Sequence, residues 1–272
     1  VVFLICLIIG LFTALIGSTM GLGGGIILIP SLLLMGSISD SFSWVTPQSI
    51  VGVSLITMII TALASTLSYA KIKRIDYKTG ILLLSGSIPG GMVGSWLNQF
   101  INSQSFLLYF GMLMIVISLL FLIKRTTSSK KRYDGDMRGV RTIELYGETY
   151  QYRITIPVAF LLSFVVGTLS GLFGIGGGSI IVPALILLFG VPTHIATATS
   201  MFMILFVSIF GASTHIALGH IPWEYVIFFI PGSWIGGKLG AKVNQLLPGK
   251  ALEWILRILL VFIGLRMIYQ GL

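Results

Sequence analysis

Four stretches of this chain, 1–21, 50–70, 105–123 and 160–189, contain no Asp, Glu, Lys or Arg. Each is close to or beyond the ~20 apolar residues that an α-helix needs to cross a hydrocarbon layer. The 272 residues are 56% hydrophobic and 9% charged, with a mean hydropathy of +1.02, whereas soluble domains carry about 25% charged residues. A water-soluble core cannot absorb that shortfall, so the chain reads as an all-α integral membrane protein. A transmembrane β-barrel would show short alternating segments, which the sequence lacks. The first apolar run is too long for a signal peptide and no charged start precedes it, so it reads as a spanning segment. Cys6 is the single cysteine, which rules out an internal disulfide and leaves a packed or lipid-facing role.

The formal net charge is +9. Most cations fall in short links or at segment ends, where they set orientation in a bilayer, so no nucleic-acid partner is expected. Two hydrophobic halves, 1–123 and 154–272, flank a polar insert, 124–153. Within the insert, TIELYGETYQYRI alternates β-favouring residues around Gly147, which suits a surface β-hairpin as well as it suits a solvated linker.

The halves resemble each other. Shifted by 153 positions, 21–34 (GLGGGIILIPSLLL) and 174–187 (GIGGGSIIVPALIL) share eight of fourteen residues. TPQSIVGVSL at 46–55 then answers PTHIATATSM at 192–201, and PGGMVGSW at 89–96 answers PGSWIGGK at 231–238. Cations mark the links at Lys71, Lys73, Arg74 and Lys78, the insert, and the link at Lys238, Lys242 and Lys250 as inside. The link near 98–104, which corresponds to that last one, has none. Equivalent links thus fall on opposite sides, as in inverted-topology repeats. The expected architecture is two such repeats of about five helical segments each, with glycine-broken helices at the centre.

Glycine costs about 1 kcal/mol per position in a helix interior, so Gly23, Gly24 and Gly25, like Gly176, Gly177 and Gly178, should interrupt their helices. Broken backbone survives at membrane depth only where protein or a watery cavity covers it. The helix that restarts offers open N–H groups and a positive dipole end, and two such ends could converge on one anion. Gly21 and Gly174 open the breaks, and Pro30 and Pro183 follow them either as kinks or as helix ends. Polar residues on the next helices, Gln48, Ser54, His194, Thr199 and Ser200, are candidate substrate ligands. Each also suits interhelical packing. His194 is the candidate carrier of a coupled proton. Glycines 86, 90 and 94, and 232, 236 and 240, read instead as packing ladders. The dinucleotide and phosphate-loop patterns are absent, as are HExxH and GxSxG, so neither a cofactor, a metal nor an enzymatic activity is expected. His215, His220 and Glu224 lack repeated ligand spacing and read as a solvated rim.

The duplicated GxGGGxxxxP element, with matching positions Gly21, Gly23, Gly24, Gly25 and Pro30, then Gly171, Gly174, Gly176, Gly177, Gly178 and Pro183, resembles the sulfite exporter TauE/SafE family of membrane permeases. ATATSM at 196–201 is similar to that family's alanine-threonine-serine stretch, while VGVSL in the first half departs from it at Val53. The resemblance covers nearly the whole chain except the insert. It implies a secondary transporter in a bacterial cell membrane that exports small sulfur-containing anions such as sulfite, sulfonates or sulfoacetate by alternating access. A passive anion channel, or a scaffold or sensor acting through the insert, are the alternatives. The bilayer and a small anion are the expected partners. Nothing in the sequence sets an oligomeric state.

Overall fold

Local chemistry places the helix starts. Thr46 accepts a hydrogen bond from the Ser49 backbone N–H at 3.2 Å, and Ser49 Oγ accepts one from Thr46 N–H at 2.8 Å. With Pro47 in the first turn, this capping box opens α3 (Pro47–Lys71). Asp76 caps α4 (Tyr77–Leu97) by accepting from Thr79 N–H. Gly174, at φ 65°, ends α6 (Ile156–Phe173) in the left-handed conformation.

The computed structural model describes residues 2–120, 140–145, 148–247 and 249–271. The first half supplies α1 (Val2–Met20), α2 (Gly25–Ile38), α3, α4 and α5 (Ser103–Leu120). The second supplies α6, α7 (Gly178–Phe189), α8 (Thr193–Ala217), α9 (Trp223–Leu246) and α10 (Gly249–Gly271) in the same order. Among the described residues, α1, α3, α4, α6 and α8 are long and apolar enough to cross a membrane, and α2 and α7 are shorter apolar helices. Large apolar side chains such as Phe3, Phe12, Met112, Leu161 and Phe262 lie exposed on the outer surface, as a lipid-facing belt requires. Cys6 is buried.

Strands β1 (Val140–Leu145) and β2 (Glu148–Arg153) pair antiparallel, with Val140 opposite Arg153 and Leu145 opposite Glu148. Of the two readings of this segment the hairpin is therefore the one realised. Residues 124–139 of the insert lie outside the described residues.

Helices from the two halves interleave. α1 packs along α9, and α4 along α6. These are the seams of the glycine ladders. A Cβ at Gly232, Gly236 or Gly240 would overlap the carbonyls of Leu7, Leu11 or Leu15, and one at Gly90 or Gly94 those of Phe164 or Thr168. Backbones meet there because no side chain intervenes. By these contacts Gly86 corresponds to Gly232 and Gly94 to Gly240. Pro89 and Pro231 therefore stand one helical turn out of step, although the sequence comparison pairs them; it is the four-residue spacing of the contacts that repeats. At the centre, α3 and α8 pass antiparallel: His215 near the end of α8 lies against Gly52 near the start of α3, while Thr199 near the start of α8 bonds Asp76 just beyond the end of α3.

Candidate functional site

Both glycine runs break their helices. Gly21, Gly23 and Gly24 have φ of 76°, 83° and 101°, and Gly174, Gly176 and Gly177 have 65°, 75° and 70°. L-side chains rarely adopt these values. Gly24 and Gly177 are the left-handed residues from which α2 and α7 restart. Gly24 O accepts from Ile27 and Leu28, and Gly177 O from Ile180 and Ile181. The amides ahead of these, at Gly25 and Ile26 and at Gly178 and Ser179, are therefore the open donors of each first turn. α2 and α7 continue through Pro30 and Pro183, so neither proline is a helix end.

The breaks lie against each other. A Cβ at Gly25 would overlap Gly174 O, and one at Gly178 would overlap Gly21 O. Each of these carbonyls is held by a serine on a core helix: Ser54 Oγ on α3 donates to Gly174 O at 2.7 Å, and Ser200 Oγ on α8 donates to Gly21 O at 2.6 Å. Each half thus seals the break of the other. Met58 and Ile204, one from each core helix, fill the space between. A Cβ at Gly23 would lie 2.8 Å from Met58 Sδ and 3.2 Å from Ile204 Cγ2, and one at Gly176 would lie 2.5 and 3.4 Å from the same atoms. All the glycines of both runs are buried, as broken backbone in a membrane must be.

The structure brings Gly21, Gly23, Gly24, Gly25, Gly174, Gly176, Gly177, Gly178, Ser54 and Ser200 together. It places Gln48, His194 and Thr199 elsewhere. Gln48 Nε2, in the first turn of α3, donates to the carbonyls of Asn98 and Ile101 at 3.1 and 3.0 Å. His194 Nδ1, in the first turn of α8, meets Asn244 Oδ1 at 3.2 Å. Asn98 Nδ2 donates to Leu172 O at 2.8 Å and Asn244 Nδ2 to Thr19 O at 2.7 Å, so the ends of α6 and α1 are pinned by matching amides. Asn98 and Asn244 are buried, and sequence reasoning passed over both. Each closes its glycine ladder four residues after the last rung, Gly94 or Gly240, and that shared spacing is the signal that could have found them.

Thr199 Oγ1 accepts from Asp76 N–H at 3.0 Å. Asp76 is buried. Its carboxylate accepts from Thr79 N–H at 3.1 Å, from Thr79 Oγ1 and from Tyr152 Oη at 2.6 Å. Tyr152 belongs to β2 and is 2% exposed. Burial, then the negative charge of Asp76, raises its phenol above the ordinary range, so it stays a donor. The hairpin is thereby bolted to the α3–α4 link and through it to α8. At the opposite end His215 and His220 approach Nδ1 to Nδ1 at 3.0 Å. Among the described residues no cluster of three or more metal-ligating side chains occurs.

Interleaved apolar helices and paired buried breaks define a multi-pass protein of a cell membrane, and comparison with known proteins makes its class that of a transporter or permease. The chain matches the family described as Sulfite exporter TauE/SafE over residues 6–267, and it belongs to that family. It is 43% identical to the "Probable membrane transporter protein YunE" of Bacillus subtilis over 99% of this chain and 98% of that one. It is 30% identical to a probable membrane transporter protein of Methanocaldococcus jannaschii, over 96% and 94% of the two chains. A probable membrane transporter protein of Xylella fastidiosa is 28% identical over 83% and 80%. No solved structure matches the chain.

Proposed function

We propose that this transporter carries small sulfur-containing oxyanions, such as sulfite or sulfonates, by alternating access of its two halves around the paired breaks. The observation that carries the reading is the meeting of the α2 and α7 N-termini, two positive dipole ends with open amides, in a buried and otherwise almost uncharged centre. Anionic solutes are favoured at such ends, and the scarcity of acidic side chains (8 Asp and Glu in the chain) disfavours a cation pump. In this reading the halves are inverted across the bilayer and the hairpin end faces the cytoplasm, as the distribution of lysine and arginine indicates. Met58 and Ile204 occupy the space between the breaks in the closed arrangement, and they withdraw when one half rocks against the other.

The test is counterflow in liposomes reconstituted with the purified protein, with sulfite, thiosulfate, ethanesulfonate and propionate each presented against a labelled copy. Saturable exchange that accelerates when unlabelled anion is present on the far side is expected for the sulfur anions. Unsaturable flux would identify a pore, and no flux of any of them would remove the substrate assignment. Coupling to a proton is assigned to His194. His194→Ala is expected to flatten the dependence of flux on pH. An unchanged pH profile takes His194 out of the pathway.

A further inference from the structure

The two breaks are alike in backbone but differ in the side chains beside them. At the start of α7 stands Ser179; its counterpart at the start of α2 is Ile26. Ser170, on α6, has its Cβ 3.5 Å from where a Cβ of Gly177 would stand; its counterpart on α1 is Gly17. Ser170 and Ser179 are both 0% exposed, and neither Oγ makes a hydrogen bond. A buried hydroxyl left without a partner costs on the order of 1–3 kcal/mol, so one that no carbonyl of its own helix can reach calls for a partner.

Ser170, like Ser208, Ser233 and Thr66, which are also buried with unpartnered hydroxyls, lies inside a long helix, where rotation brings the hydroxyl to the carbonyl four residues back. Ser179 has no such recourse. It is the second residue of α7, and the fourth residue before it, Ile175, lies in the break. Cα–Cβ bonds in a helix tilt toward its N-terminus, so the Ser179 side chain leaves the backbone toward the turn that carries the open amides of Gly178 and Ser179. Across the break the walls are apolar: Ile26 and Leu22 are fully buried, with Met58 and Ile204 between the two runs.

From this asymmetry we infer that Ser179 forms the polar seat for a single anionic head group at the α7 end, and that the α2 end receives an apolar substituent. The ligand class is an oxyanion with one polar pole and one short hydrocarbon pole, such as a small alkanesulfonate, rather than an inorganic anion ringed by oxygen. This rests on the proposed anion site and sharpens it. The α7 end donates one hydroxyl and two amides to the head group, while the α2 end offers amides behind the Ile26 side chain.

The experiment measures binding and counterflow of ethanesulfonate and sulfite by the purified protein, alongside Ser179→Ala and Ile26→Ser. Wild type is expected to prefer ethanesulfonate. Ser179→Ala should weaken ethanesulfonate binding roughly tenfold, the effect of one lost charge-assisted hydrogen bond. Its melting temperature without ligand should be unchanged or higher, because the removed hydroxyl has no partner there. A merely structural serine would lower both quantities together. Ile26→Ser, which supplies the missing hydroxyl to the α2 end, should narrow the preference toward sulfite. Wild-type binding of ethanesulfonate by Ser179→Ala, or tighter binding of sulfite than of ethanesulfonate by wild type, overturns the seat while leaving an anion carrier in place. If wild type moves neither anion, the proposed function and the seat fall together.

Discussion

Gly178→Ala is expected to reduce transport more than a hundredfold and to lower thermal stability measurably. The added Cβ would overlap the Gly21 carbonyl and lie 2.7 Å from Ile204 Cδ1. The first obstacle is backbone, and it is held in place by the Ser200 hydroxyl at 2.6 Å, so it cannot swing aside as a side chain could. Overpacking of a close-packed site costs typically 1–3 kcal/mol, and here the displaced atoms are those on which the opposite break is built. A shift of about 3 kcal/mol corresponds to more than two decades in an equilibrium. Flux in liposomes and the melting temperature of the purified variant check the expectation. Flux within a factor of two of wild type would show that the breaks need not touch for transport.

The second large effect belongs to Asp76. Asp76→Ala removes the N-cap of α4 and leaves the Thr79 hydroxyl and the buried Tyr152 hydroxyl without their acceptor. Loss of a cap costs about 1 kcal/mol, and each hydrogen bond to a buried charge is worth about 1.5–3 kcal/mol. A destabilisation of about 4 kcal/mol is therefore expected, read as a lower melting temperature. The hairpin should also loosen, read as faster amide exchange at 148–153. Tyr152→Phe deletes one bond and keeps the cap, so it should show the hairpin effect with a smaller loss of global stability. Protection at 148–153 unchanged in Asp76→Ala would mean that the hairpin is held by other contacts.

What could be read from the sequence, and what could not, follows from the range of the forces involved. The glycine breaks were legible because three successive glycines act locally: backbone entropy and absent Cβ atoms decide the conformation whatever lies nearby. The ladders at Gly86 and Gly232 were legible for the same reason, since spacing of four is itself the contact geometry. Which hydroxyl meets which carbonyl was not legible. Ser54 finds Gly174 and Ser200 finds Gly21 only after the halves interleave, and nothing near either serine encodes the partner. Gln48 and His194 looked equivalent to Ser54 by polarity alone, but each lies in the first turn of its helix, some two turns nearer the end of the bundle. Asp76 was hidden among the lysines and arginine of its link, although an aspartate three residues before a threonine is a local capping signal.

The exchange of hydroxyls between halves has a dynamic corollary. Ser54 and Ser200 are anchored in α3 and α8, which cross at the centre, while the carbonyls they hold belong to loops of the opposite half. A rigid rotation of one half against the other strains both clasps by the same motion. Under the alternating access proposed above, both clasps therefore yield in one step, and leak through a doubly open passage is suppressed by geometry rather than by timing.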